Sequence, residues 1–379
     1  MKAKSIQGKS TKEIKNKIEQ YLAESFNPTL AIVFMSKELD WKGVSEILDH
    51  KGIEVFGATT EIEFTEEGIE DNGIVILLLD MNKSHYKIVL NEFENSNALE
   101  AAGKIGETGI KTFSNPAFII SGSLRDWPGE LLMDGITSKV GNEVNIIGGM
   151  AGDTASFSGI IFTNNKSCEQ GILSLIIDND KIDLKGLAVS GFKAVGTEKI
   201  ITKSDGPWII TIDDEPAMDV LKKYIGADIE GARISETLIS LNTAYPILLK
   251  REEGNPVMRP TLMYNTKTKA VYCGGSVKEG SSFRFTLPPD FEVIDTVIDS
   301  SREIKEKEMN EADALLVFSC IGRYSMFGPV IESENNGLAE TWNKPMAGFF
   351  SLGEFGKVIG GKVPEYHGGT CSWVALKEI

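Results

Sequence analysis

Four cysteines in 379 residues, none in a CxxC pair, give no basis for a structural zinc site or a redox dithiol. Cys168, Cys273, Cys320 and Cys371 stand far apart and read as reduced thiols, the usage expected of a cytoplasmic protein. Histidine is rarer still: His50, His85 and His367 share no helical spacing, so neither a histidine-built metal site nor a cofactor is expected. No apolar run approaches the roughly 18 residues that would suggest a membrane span. Lys2, Lys4, Lys9, Lys12, Lys15 and Lys17 precede no apolar stretch and read as the wet side of a helix, not a signal peptide. Bases are the minority, 39 Lys and Arg against 55 Asp and Glu, for a formal charge of −16 and a pI near 4.8. Such a chain is ill suited to nucleic acid or to anionic lipid, both of which call for clustered cations.

What is present suffices for an ordinary globular protein: 41% hydrophobic residues, 25% charged, and 38 glycines. At roughly 150 residues per domain, the length allows two or three units. Ser10-Thr11-Lys12-Glu13 forms a capping box, and Ile14, Ile18, Tyr21 and Leu22 share one helical face, which predicts an amphipathic helix within residues 1–27.

Beyond it one plan occurs three times. Leu30-Ala31-Ile32-Val33-Phe34, Ala117-Phe118-Ile119-Ile120 and Ala314-Leu315-Leu316-Val317-Phe318 read as buried strands, each followed by a serine: Ser36, Ser121 and Ser319. A helix follows, best marked in the second unit by Asp126 as N-cap and Pro128 in the first turn. Next come second strands running into small residues: Val55–Glu61, Ile146–Asp153 and Met346–Glu354. A hairpin-like segment and a closing strand complete each unit, and the closing strands Gly73–Asp80 and Gly171–Asp178 share Gly, Ile, Leu and Asp at four of eight places. Between units two and three, Asp213–Pro216 starts a helix that Gly226 stops; short strands follow near Tyr245–Lys250, Val257–Tyr264 and Ala270–Cys273, and a second helix spans roughly Ile294 to Glu311. The fold class expected is α/β: two sandwich domains with mixed sheets, built from repeated β-α-β-β-β units, breaking near Asp205–Asp214.

Gly148-Gly149-x-Ala151-Gly152-Asp153 with its closing strand resembles the N-terminal FIST domain. Pro216–Val220, Tyr245-Pro246-Ile247, Phe318-Ser319-Cys320-x-Gly322-Arg323, Ala347-Gly348-Phe349 with Gly353-Glu354, and His367-Gly368-Gly369-Thr370 resemble the C-terminal FIST domain. The resemblance puts these domains at 28–213 and 214–379. It implies a sensory pair that binds small ligands, amino acids among them, in signal transduction. No F-box, kinase, receiver or cyclase stretch is read in the chain, so output is expected through a separate partner such as a kinase or chemoreceptor.

Only seven of the 39 bases are arginine, and Arg125 and Arg323 each follow a strand-end serine, Ser121 and Ser319, by four residues. A guanidinium at such a place can clamp a carboxylate through two hydrogen bonds; the competing reading is an ion pair with Asp126 or Glu354. Gly148, Gly149 and Gly152 permit a backbone cradle for an anion, or only a tight turn or bulge. Asp153 and Glu354, with Glu61 nearby in unit one, offer acceptors for an amino group or act as turn residues. Ser123, Cys320, Gly348, Ser351 and His367 complete the candidate ligand set. Two other classes stay open. One is a hydrolase using Cys320 or a serine with His367, although no Gly-x-Ser-x-Gly elbow exists and Ile120-Ser121-Gly122-Ser123 lacks the flanking glycine and the strained turn that exposes the hydroxyl. The other is an interaction scaffold.

Overall fold

The structure, a computed structural model, describes the chain except residues 95, 96, 124–128, 226–230, 232, 242–244 and 288. Asp126 and Pro128, expected to open the second unit's helix, lie outside the described residues, as do Arg125 and Gly226.

Three units follow one order: edge strand, helix, first strand, helix, second strand, hairpin, closing strand. Unit one runs Ala3–Gly8, Thr11–Ala23, Leu30–Ser36, Trp41–His50, Glu54–Thr60, the hairpin Ile62–Thr65 with Gly68–Asp71, and Ile74–Leu79. Unit two runs Tyr86–Glu92, Ala98–Thr112, Pro116–Ser123, Gly129–Val140, Ile146–Met150, the hairpin Ile161–Phe162 with Ser167–Cys168, and Gly171–Asp178. Unit three opens with Ile182–Val189 and resumes, after an insertion, with Glu292–Lys307 and Ala314–Cys320. The helices Ile321–Phe327 and Ile331–Trp342 follow, then Met346–Ser351, the hairpin Glu354–Gly356 with Glu365–His367, and Cys371–Glu378. First and second strands pair parallel, and the closing strand returns antiparallel beside the first. The class is α/β with mixed sheets.

The repeat is longer at its start than its sequence pattern. Residues 1–27 hold an edge strand besides the helix, with one buried side chain, Ile6, too little to leave an apolar signature. The helix itself is capped as expected: Glu13 N–H donates to Ser10 Oγ at 3.3 Å, and the Glu13 carboxylate accepts from Lys9 N–H at 2.8 Å.

Each hairpin leaves its own unit and extends the sheet of another. That of unit one joins the second strand of unit three, that of unit two joins unit one, and that of unit three joins unit two. The exchange is cyclic, and each crossing pairs a phenylalanine with a glycine: Phe64 on Gly348, Phe162 on Gly57, Phe355 on Gly148. A Cβ on Gly57 would lie 2.3 Å from the Phe162 ring, and one on Gly348 2.3 Å from the Phe64 ring, so the ring takes the space of the missing side chain. The three sheets face inward onto a common core that includes Phe34, Phe318 and Phe349, with centroids 4.7 to 5.9 Å apart. Helices cover the outer faces, which is why the first strands are apolar on both sides.

Residues 194–286 form a nine-stranded sheet with its own core around Ile201, Ile209, Val271 and Phe283. It enters and leaves side by side: Ala194 pairs with Thr286, and Leu287 N–H donates to Lys193 O at 3.0 Å. Residues 205–214 lie in its first hairpin, Ala194–Asp205 with Trp208–Ile212, and the helix after Pro216 is Ala217–Ile225. The second expected helix is Glu292–Lys307.

Candidate functional site

Strand register decides which positions match between units. Ser36 pairs with Thr60, and Cys320 with Ser351, while Gly171 lies opposite Ser123. The three strand ends are therefore Ser36, Ser123 and Cys320. Ser121 and Ser319 sit two residues and one residue earlier, so the two serines themselves do not occupy matched places.

Arg323 is fully buried and occupied within the chain. Its guanidinium forms a two-point ion pair with Glu334, Nη1 donates to Ser190 O at 2.8 Å and Gly369 O at 3.2 Å, and the plane lies over Phe327. Ser319 Oγ donates to the same Glu334 at 3.1 Å. The free carboxylate clamp is thereby corrected to a buried ion pair, with Glu334 rather than Asp126 or Glu354.

Gly148 and Gly149 are strand residues packed against neighbouring units. Gly148 has φ +157°, and a Cβ there would fall 1.9 Å from Ile120 O; Gly149 lies against Ser351 and Phe318 of unit three. Gly152, at φ +135°, bridges to Thr60. Ser121 Oγ donates to Gly149 O, and Ser123 Oγ to Gly159 O and Glu169 O, so both hydroxyls serve the backbone. Asp153 closes a turn by accepting from Ala155 N–H, Ser156 N–H and Ser156 Oγ; although its burial works the other way, these bonds hold its carboxyl below the usual range. Glu61 accepts from Thr154 in the same region.

Ser319, Cys320, Ser351, Glu354 and His367 do come together, in a packed interior. Glu354 accepts from Ser351 Oγ at 2.6 Å, Thr370 Oγ1 at 2.9 Å and Thr370 N–H at 3.1 Å, and burial pushes its carboxyl up to about 8 against those bonds. Its counterpart in unit one is Glu63, not Glu61. Glu63 accepts from Thr60 Oγ1 and from Gly73 N–H at 3.2 Å, and burial pushes it up to about 8 as well. The shared spacing, Thr60-x-x-Glu63 and Ser351-x-x-Glu354, is the sequence signal that marks this pair. His367 Nε2 is bonded to Gly356 O at 2.9 Å, its Nδ1 is buried without a partner, and burial lowers it to about 4. Burial also raises the Cys320 thiol well above its ordinary value, and among the described residues no hydrogen bond joins it to His367. Gly348 is filled by Phe64.

An open site lies elsewhere. A cleft of about 610 Å³ opens between helix Gly129–Val140 of unit two, the unit-three hairpin near residues 363–366, and the inserted sheet. Arg251, Arg259 and Lys278 of the insert meet Glu130, Asp134 and Glu365 of the units there. Arg251 grips Glu365 in a bidentate pair, Nε–Oε1 2.7 Å and Nη2–Oε2 2.6 Å; despite burial, the guanidinium holds that carboxyl below its usual range. Arg259 is nearly buried, donating through Nε to Ser276 O at 3.3 Å and through Nη1 to Tyr366 O at 2.9 Å. The equivalent groove of unit one, between helix Trp41–His50 and the unit-two hairpin, is an uncovered depression of about 190 Å³. The sequence pattern did not reveal the cleft, because its residues come from three separated segments.

Among the described residues no group of three or more His, Cys, Asp or Glu is placed to hold a metal, and no helix is long and apolar enough to cross a membrane. Three α/β units and an inserted sheet thus border one polar cleft. The chain belongs to the FIST family: the FIST N domain matches residues 29–215 and the FIST C domain residues 217–357, which makes it a sensory protein of signal transduction. No curated protein matches it.

Proposed function

We propose that this sensory protein binds an amino acid or another small carboxylate in the cleft between unit two and the inserted sheet, and passes the signal to a separate protein such as a kinase or chemoreceptor. The observation that carries the reading is the covering of one groove out of a repeated set. The groove of unit one is open, whereas in unit two the insert covers it and brings three cations opposite three carboxylates. A balanced lining of this kind favours a small dipolar ligand, and concave sites with a few convergent polar groups are where ligands bind. The residues around Ser121, Gly149, Ser319 and Glu354 support the packing of the units instead, because their polar atoms are bonded within the chain. A cytoplasmic location is part of the same reading.

The hydrolase alternative has less support: a thiol held protonated by burial is a poor nucleophile, and a histidine lowered to about 4 is a poor base at neutral pH. A scaffold would be expected to present an apolar face without a convergent polar cleft. The test is a thermal-shift screen of the full chain against amino acids and small organic acids. A compound at about a hundred times its dissociation constant stabilises by roughly 2.7 kcal/mol. Arg259→Lys should weaken any hit about tenfold or more, since lysine cannot reproduce the planar guanidinium contact. A screen with no hit, or a hit indifferent to Arg259→Lys, sinks the cleft reading.

A further inference from the structure

The insert is seated on one short run of unit three, residues 365–369. Glu365 is gripped by Arg251, and Tyr366 O accepts from Arg259 Nη1 at 2.9 Å. A Cβ on Gly368 would lie 2.8 Å from Pro260, and one on Gly369 would run into Met258, so the insert closes onto bare backbone there. Between these contacts stands His367, fully buried. It lines a cavity of about 10 Å³ together with Asn255, Pro256 and Met258 of the insert, room for one water and for no ligand. A carbonyl oxygen can only accept, so the neutral ring carries its proton on Nε2, which donates to Gly356 O at 2.9 Å. Nδ1 is left buried without a hydrogen-bond partner.

We propose that His367 is an acid-operated latch for the inserted sheet: proton uptake at Nδ1 unseats the insert from residues 365–369 and opens the cleft beside them. The charged groups around the ring offer an imidazolium no free partner. Arg251 and Arg259 face it from the insert, and Arg323 comes near from within unit three, where it donates to Gly369 O. Glu365, on its own strand, is committed to Arg251. Glu354, its cross-strand neighbour, is held by Ser351 and Thr370 and kept mostly protonated by burial at neutral pH. Lys357, next to Gly356, is turned to Glu143 O and Asn145 of unit two. The other walls of the cavity, Val189, Val358 and Thr370 among them, belong to unit three itself. Water therefore reaches a charged His367 where the insert lifts away. Burial, helped by the two guanidinium groups, lowers the seated imidazole to about 4 against the Gly356 bond and Glu365, while a ring exposed to water stays near 6.5. Seating is thus fully supported above about 6.5 and loses that support as pH falls toward 4. The latch does not depend on what the cleft binds.

Hydrogen exchange of the full chain, read by mass spectrometry and corrected for the chemical rate at each pH, tests this. The reporters are peptides holding Asn255, whose N–H donates to Ile359 O at 2.8 Å, and Ser276, whose N–H donates to Glu130 at 2.6 Å. Strand Pro116–Ser123 of unit two is the internal control. From about pH 7 to about pH 5 the reporters should lose about tenfold or more of their protection while the control holds. Glu365, its carboxyl held below the usual range, does not titrate in that window. His367→Gln keeps an amide donor for Gly356 O and takes up no proton, so its reporters should change by less than about threefold. Reporters that hold steady in the wild-type protein, that fall together with the control, or that fall as far in His367→Gln overturn the latch. Should the variant not fold, the wild-type profile decides alone, because His50 ends a helix of unit one and His85 pairs with Glu378, neither at the seam.

Discussion

Glu63 and Glu354 sit at matched places in two units, each fully withdrawn from water and each accepting from a hydroxyl and a backbone N–H. Their carboxyls rise from an ordinary value near 4.5 to about 8 because burial disfavours the charged form. The folded state therefore binds protons that the unfolded chain has released, so their contribution is fully present below about 4.5 and is lost as pH rises to about 8. Urea midpoints from about pH 5 to about pH 8.5 should fall more steeply for the wild-type protein than for Glu63→Gln or Glu354→Gln; parallel profiles would contradict the assignment. Arg323 and Glu334 make a second residue-scale case. Removing one partner should cost about 3–5 kcal/mol in chemical denaturation, whereas Arg323→Met with Glu334→Leu should recover much of the loss. The rarity of arginine in an acidic chain rightly marked guanidinium groups as features to explain. It could not say which are occupied, because the partner of Arg323 is eleven residues away on another helix.

At the scale of elements, the exchanged hairpins hold the units together. Gly57→Ala should destabilise by about 1–3 kcal/mol, since its methyl meets the Phe162 ring. Adding Phe162→Leu should restore part of that, giving a double-mutant cycle that is clearly non-additive. Gly148→Ala has no such remedy: the obstacle is a backbone oxygen and the φ of +157° resists any side chain, so loss of folded protein is the expected outcome, read by expression and circular dichroism. Strands, helices and hairpins were legible from their periods and turns. The sheet each hairpin enters was not, because Phe64, Phe162 and Phe355 read alike whether they pack at home or away.

For the whole molecule, the insertion is separable in a way the exchanged units are not. Its ends meet at Lys193 and Leu287, so replacing residues 194–286 with a short linker should leave the three-unit core folded and cooperative. The same deletion removes Arg251, Arg259 and Lys278 from the cleft, and any ligand-induced rise in melting temperature should vanish with them. A core that still responds to the ligand would locate the site elsewhere. Three separated units, by contrast, should not fold alone, because each lacks the hairpin that completes its sheet.

The sequence by itself determined the α/β class, the threefold repeat, the capped first helix and the family, since each is written in local periodicity or in ordered motifs. Tertiary structure alone decided which strand ends correspond, that Arg323 meets Glu334, that Glu63 rather than Glu61 mirrors Glu354, and that an inserted sheet encloses one groove. The physical reason is range: hydrogen bonds and side-chain period act over a few residues, while burial, ion pairing and a cleft arise only where distant segments meet.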